Sequence, residues 1–289
     1  MDLFKKPSKG LLFALSASSI WACGIVVGRY ILKAGENPLN LTAWVSLMTF
    51  IPWLFLFQRH VQEFKRLSHK NIVLLAFIGI AASMGINYLQ ALALANTSAV
   101  NFSFLYRTVI IFTIVFAWIF FKEKITRKKI LLLVFILGGS YLVTTNGQGF
   151  SLSPGDLYTL LMAASAAFIS NILIKHTVSK MHTDLSGSVT SIVACLSLLF
   201  LATMTHVLRV PQQLFWVFIT SVLYFAMIMF RNRAYKIATA SFVTMIFALT
   251  PFFVTILSFI FLRETLEPVQ LIGGLLIVGS AVLVERYKM

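Results

Sequence analysis

The sequence predicts an all-α membrane protein of ten transmembrane helices, arranged as two inverted five-helix repeats, and three observations carry that prediction. The first is composition. Of the 289 residues 59% are hydrophobic and 11% charged, with a mean hydropathy of +0.89, whereas the charged share of an ordinary soluble domain is about 25%. The second is an internal self-match: shifted by 141 positions, the stretch 93–143 returns near the C-terminus. Glu123 then falls on Glu264, Ala99 on Ala240, Phe112 on Phe253, Gly138 on Gly279 and Leu142 on Leu283. A fixed period of half the chain marks a duplicated architecture. The third is the segregation of cations between the two sides of the membrane.

The elements follow from length and punctuation. Crossing the hydrocarbon core takes about 20 helical residues. After a basic opening with Lys5, Lys6 and Lys9, the first apolar run covers residues 10–32. A secretory signal has an apolar stretch of about 7 to 15 residues and a small-residue cleavage site. This run is longer, and Trp21 stands before Cys23 where a small residue would be needed, so the segment is read as a retained span. Further spans are expected at 39–57, 72–95, 99–121 and 130–145. A linker containing Gly, Ser and Pro covers 145–154 and separates two repeats, assigned to residues 1–148 and 149–289. The second repeat has spans at 157–174, 185–207, 214–230, 240–262 and 269–284.

With the sides counted alternately, nineteen Lys and Arg residues fall on one side, and Lys33, Arg209 and Arg263 fall on the other. Cytoplasmic loops accumulate cations, which puts both termini inside, in the plasma membrane or bacterial inner membrane. Five is odd, so the two copies must cross in opposite senses. Inverted repeats are characteristic of transporters that hold substrate near the midplane, between the halves.

The motifs at the helix ends resemble those of the EamA-type branch of the drug/metabolite transporter superfamily. They are Phe120-Phe121-Lys122-Glu123-Lys124-Ile125 with Gly138-Gly139, and Phe261-Leu262-Arg263-Glu264-Thr265-Leu266 with Gly273-Gly274 and Gly279. Ile20-Trp21-Ala22-Cys23-Gly24 is similar to the Trp–Gly turn of that family's first helix, and Pro251 to the proline of its ninth. The first copy has Ile110 at the position of Pro251, which puts a shared kink in doubt. The resemblance implies a central cavity lined by the first four helices of each repeat, with the fifth and tenth peripheral. Those two spans, about 16 residues each on the bilayer ruler, carry paired glycines that fit close helix packing.

A charge at the bilayer centre costs about 2.5 to 3.5 kcal/mol on insertion scales, so a deep ionisable residue needs a reason. Arg107 is the one read as deep, roughly 12 Å from the outer end of its span. It is expected to face the cavity and hold a substrate carboxylate, which a planar guanidinium meets with two parallel hydrogen bonds. The competing reading satisfies it with Tyr side chains, backbone carbonyls and water. The candidate substrate-binding set is completed by Asn101, Tyr106 and Thr108 on the same span, Tyr88 and Gln90 on the third, and Trp21 on the first. Asn171, Tyr224 and Thr250 join from the sixth, eighth and ninth spans. For each taken singly, the alternative is packing or an interhelical hydrogen bond of about 0.6 kcal/mol. Arg29 is expected to be an interfacial anchor, and Glu123 and Glu264 cap charges.

No Asp or Glu stands mid-span, and the five histidines fall in or beside loops. No His-Glu-x-x-His, Gly-x-Ser-x-Gly or phosphate-cradling motif is present. Cys23 and Cys195 lack CxxC spacing. No catalytic residue, cofactor or metal is therefore expected. The formal charge of +15 lies in short clusters rather than along one face, which disfavours nucleic acid. The expected partners are a small-molecule substrate and the lipid bilayer. The sequence favours a carrier of small organic metabolites, with amino acids or related zwitterions and anions preferred. An exporter of lipophilic cationic drugs is the alternative, although its site would want a buried carboxylate; a channel or receptor is the third reading.

Overall fold

The computed structural model describes residues 9–145, 153–262 and 268–286, and every regular element among them is helical. In chain order they are α1 (Lys9–Lys33), α2 (Pro38–Arg59), α3 (His69–Asn96), α4 (Ala99–Phe121), α5 (Arg127–Thr145), α6 (Pro154–Val178), α7 (Thr183–Met204), α8 (Leu214–Ile237), α9 (Ala240–Phe261) and α10 (Pro268–Arg286). A five-residue helix, Val61–Lys65, joins α2 to α3. Among the described residues eight helices, α1 to α4 and α6 to α9, are long and apolar enough to cross a membrane. Large side chains such as Ile51, Phe200, Phe215 and Phe261 are exposed on the outside of the bundle, which suits a hydrocarbon solvent. The expectations for Lys5, Lys6, Arg263, Glu264, Lys288 and the 146–152 loop lie outside the described residues.

Local chemistry sets the starts of several helices. Asn37 accepts from the amides of Leu39 and Asn40, with Pro38 at the first helical position of α2. Ser153 and Asp156 form a reciprocal capping box at α6, and Thr239 accepts from the Phe242 amide at α9. Such caps satisfy amide groups that a helix leaves without partners.

Helix ends differ most from expectation where cations follow an apolar run. α8 continues seven residues past 230, to Ile237, and takes Arg231, Arg233 and Lys236 into the helix. The cations are accommodated because Arg231 donates to Ser170 Oγ (2.8 Å) and Lys236 to Met181 O (2.9 Å). α5 and α10 each have 19 residues rather than about 16, and α5 takes in Arg127, Lys128 and Lys129. The stretch around Trp21 and Gly24 stays helical within α1. Close packing does not explain all the glycines of the last helices: a Cβ would meet nothing within 4 Å at Gly138 or Gly279. At Gly274 it would lie 3.1 Å from Phe252. An added Cβ would be crowded most elsewhere, at Gly155 against Asn96 C (2.6 Å), Gly79 against Thr190 O (2.7 Å) and Gly187 against Trp53 (2.7 Å).

Four of the long helices are irregular. α3 contains a π segment at Ser83–Tyr88 and α6 one at Ala167–Leu173. α4 breaks between Ala99–Leu105 and Thr108–Phe121, and α9 has a 3-10 turn at Phe247–Leu249. A shift of 141 carries Tyr106 onto Phe247, so the two breaks occupy matching places in the repeat. The first part of α9 packs on the second part of α4, and the reverse, so the two helices cross head to tail. Other pairs obey the same exchange: α1 packs on α8 as α6 does on α3, α2 on α7, and α5 on α10.

Candidate functional site

Three adjoining chambers lie inside the bundle. Their walls come from α1 to α4 and α6 to α9, which is the lining that the resemblance implied. Tyr224 borders all three. Its hydroxyl donates to Asn87 Oδ1, which ties α8 to α3 at the junction. Asn171 sits in the π segment of α6, takes a hydrogen bond from Tyr235 OH (2.6 Å) and donates to Thr113 Oγ1 (2.7 Å). Trp21 stands edge-on to Tyr106, with ring centroids 4.8 Å apart, and Phe247 lies beyond at 6.1 Å. A larger void of about 890 Å³ between α1, α8 and α9 is lined by Cys23, Val26, Trp216, Leu223, Leu257 and other apolar groups. It lacks the convergent polar groups of a recognition site.

Of the ten candidate residues, Trp21, Gln90, Tyr106, Asn171 and Tyr224 border the chambers. The other five do not. Arg107 is fully buried behind the wall: Nε donates to Ser103 O (2.9 Å), Nη1 donates to Phe247 O, and Nη2 has no partner. Its guanidinium carbon lies 5.3 Å from the Tyr106 ring centroid and 5.8 Å from that of Trp21. Thr250 Oγ1 meets Ser18 Oγ at 3.0 Å and Phe247 O at 2.6 Å. Thr108 bonds back to Leu105 O, and the Asn101 amide is capped by Ser98. Tyr88 packs with Leu39, Ala43, Leu198 and Ala202. The depth given to Arg107 assumes an unbroken helix, and α4 breaks at that residue.

Arg231 is the functional candidate that the sequence reading passed over. It borders two chambers, together with Ser170 and Ile86. The charge count places it among the cytoplasmic cations, because a span is expected to stop at its first charge. One other charge also differs from expectation. Arg29 does not reach outward as an anchor: Nη1 donates to Leu94 O (2.6 Å) and Ala95 O (3.3 Å), the last carbonyls of α3. Cations are favourable at that end of a helix. Glu123 accepts from the Ala240 amide (3.3 Å) and Ser241 Oγ (2.5 Å) and faces Lys129 Nζ at 3.7 Å, a cap for α9 supplied by α4.

No metal cluster was expected from histidines scattered among loops, yet the fold gathers His60, His182 and Asp184, with one ligand atom from each all within 4.8 Å of one another. The local geometry already has a capping role. His182 Nδ1 accepts from the Asp184 amide (3.2 Å), and the His182 amide donates to Glu63 Oε1 (2.9 Å).

No curated protein matches the chain. A solved crystal structure aligns over 96% of this chain and 98% of its own, with a TM-score of 0.72 and 16% identity, which is a likeness of fold. The repeat, the apolar helices and the chambers walled by both halves agree with the sequence-level family match: the model of the EamA-like transporter family fits residues 8–145 and again residues 153–286, and the chain belongs to that family of membrane transporters.

Proposed function

We propose that the protein carries small organic metabolites by alternating access through the three chambers, with amino acids and related zwitterions or anions as the favoured class. The observation that carries this reading is the lining. Trp21, Gln90, Tyr106, Asn171 and Tyr224 offer ring faces and amide groups to a solute at the junction of the two halves, where inverted-repeat carriers bind. Arg107 and Thr250 support that wall from behind through the Phe247 carbonyl. Among the described residues no Asp or Glu borders the chambers, which weighs against a site for lipophilic cationic drugs.

In this proposal all ten helices cross the plasma membrane, or in a bacterium the inner membrane, as two inverted fives divided at 148/149, with both termini cytoplasmic. The head-to-tail crossing of α4 and α9 supports the inversion. The bonds between helix ends support the alternation: Arg29 joins the end of α1 to the end of α3, whereas Glu123 joins the end of α4 to the start of α9. In a chain whose Cys23 and Cys195 are replaced, a cysteine at Arg209 should label from outside, and one at Lys180 only after permeabilisation. Equal labelling of both ends the topology. Purified protein in proteoliposomes should give saturable flux that is accelerated by solute on the far side. Flux that is linear in solute concentration would indicate a channel instead.

A further inference from the structure

We infer that the chambers select solutes of net negative charge, and that Arg231 is the residue that holds their carboxylate. The inference rests on the carrier reading above and narrows it, from zwitterions or anions to anions.

The position of Arg231 comes first. It stands six residues before the end of α8, roughly 9 Å of helix, and borders two of the chambers. Ser170 Oγ takes one of its five N–H groups at 2.8 Å, and Nε is buried with no partner. A buried donor left unmade is unfavourable, and more so on a charged group. A carboxylate oxygen supplies the missing acceptor and the missing countercharge together.

The acids are engaged elsewhere. Those whose side chains are described each meet a partner at a helix end: Glu36 with Asn40 (2.9 Å), Glu63 with the His182 amide (2.9 Å), Glu123 with Ser241 (2.5 Å), Asp156 with the Ser153 amide (2.7 Å), and Asp184 with His182 (3.9 Å). None borders the chambers. A second guanidinium, Arg107, sits behind Tyr106 and Trp21, both of which are chamber walls. In a region of low dielectric these two charges act with little screening.

An ammonium group on the solute fares badly in this environment. It meets two cations and no carboxylate, and two amide oxygens of the lining are already taken, Asn87 Oδ1 by Tyr224 and Asn171 Oδ1 by Tyr235. The rest of the lining joins Trp21, Val109, Met162, Met227 and Phe247 to neutral polar groups such as Gln90 and Thr244, and none of these supplies a countercharge to an ammonium group. The preferred solute is therefore an organic acid with a compact apolar body and no amino group.

Three probes with one branched body and different charge test this: 4-methyl-2-oxopentanoate, leucine and isopentylamine, titrated against the detergent-purified full chain. The oxo acid should bind at least about tenfold more tightly than leucine, and the amine most weakly. Arg231→Gln should weaken the oxo acid about 10- to 100-fold, the range for a hydrogen bond to a charged group. Arg231→Lys, which keeps the charge and loses the fork, should fall between. Leucine or the amine binding as well as the oxo acid, no binding of the oxo acid, or wild-type affinity in a folded Arg231→Gln protein would each overturn the inference. The wild-type charge series decides even where a variant does not fold. Counterflow in proteoliposomes separates the two levels. Saturable counterflow of neutral or zwitterionic solutes alongside a failed charge series removes the selectivity and leaves the carrier, whereas absence of counterflow for every solute, the oxo acid included, removes the carrier.

Discussion

Helices α4 and α9 occupy matching places in the two repeats and break at matching residues, yet they break by different chemistry. In α9 the cause is visible: Pro251 has no amide N–H, so the carbonyl four residues back, at Phe247, loses its helical donor. In α4 the counterpart is Ile110, and no proline or glycine interrupts the helix. There the amides of Val109 and Ile110 turn to Tyr106 O (3.0 Å) and Arg107 O (2.9 Å), three residues back instead of four. One side chain serves both breaks. Arg107 reaches Ser103 O in its own helix and Phe247 O in the other, while Ala248 stands at its matching place in α9. A duplicated scaffold has thus kept two interruptions and assigned the polar debt of both to one copy, and the inside of the bundle is electrically lopsided as a result.

The largest test of this comparison removes the shared group. Arg107→Ala should lower stability by about 3 kcal/mol, because charged hydrogen bonds and buried volume are lost together. Arg107→Met, which restores volume alone, should recover part of that. Denaturant or thermal unfolding in detergent reads both, and an Arg107→Ala protein of wild-type stability would show that the guanidinium does not hold the breaks together. A smaller effect is expected at the near end of the same crossing. Glu123→Ala strips the start of α9 of an acceptor from α4 and should cost about 1 to 2 kcal/mol, the range of a strong cap. The matching change at Glu264 should cost as much if the second copy caps the first in return, and nothing if the asymmetry extends to the helix ends. Thr250→Val removes a hydroxyl bonded to Ser18 and should cost about 0.6 kcal/mol, the mean for an interhelical hydrogen bond in a membrane. A loss of 2 kcal/mol or more would mean that Thr250 does much more than tie two helices.

How much was legible beforehand divides along the same line. The bilayer fixes the length of a span and expels charge from it, so the positions of the helices, the repeat and the family were readable from runs such as 99–121 and from the shifted match of Glu123 with Glu264. Half the candidate wall was readable too, because Gln90 and Asn171 are polar groups that lipid would not tolerate. The breaks were not. Tyr106 and Arg107 carry no punctuation, and the turn there depends on a carbonyl from a helix 140 residues away. Arg231 escaped because sequence cannot distinguish a cation that ends a helix from one that continues it and turns inward. Arg29 was misjudged for a related reason: its acceptors, Leu94 O and Ala95 O, are backbone groups that no side-chain pattern reveals.

The smallest expected effect is also the most discriminating. Pro251→Ala gives α9 an amide at 251 whose helical acceptor is Phe247 O. A carbonyl has two lone pairs, and this one already accepts from Thr250 Oγ1, the Thr250 amide and Arg107 Nη1. In the wild-type background the new amide must compete for an occupied acceptor, and the gain from removing a helix-breaking residue is offset by displacing a charged donor. Stability should change by less than about 1 kcal/mol, since a net hydrogen bond contributes about that much. In an Arg107→Met background the charged donor is gone, the new amide competes only with the amide and hydroxyl of Thr250, and the same change should stabilise by about 1 to 2 kcal/mol more than it does in wild type. The difference is a coupling energy between residues of opposite repeats, and residues that share a partner are where additivity fails. Equal effects of Pro251→Ala in both backgrounds would mean that Arg107 and the proline act independently, and that the two breaks share a position in the repeat without sharing an energy.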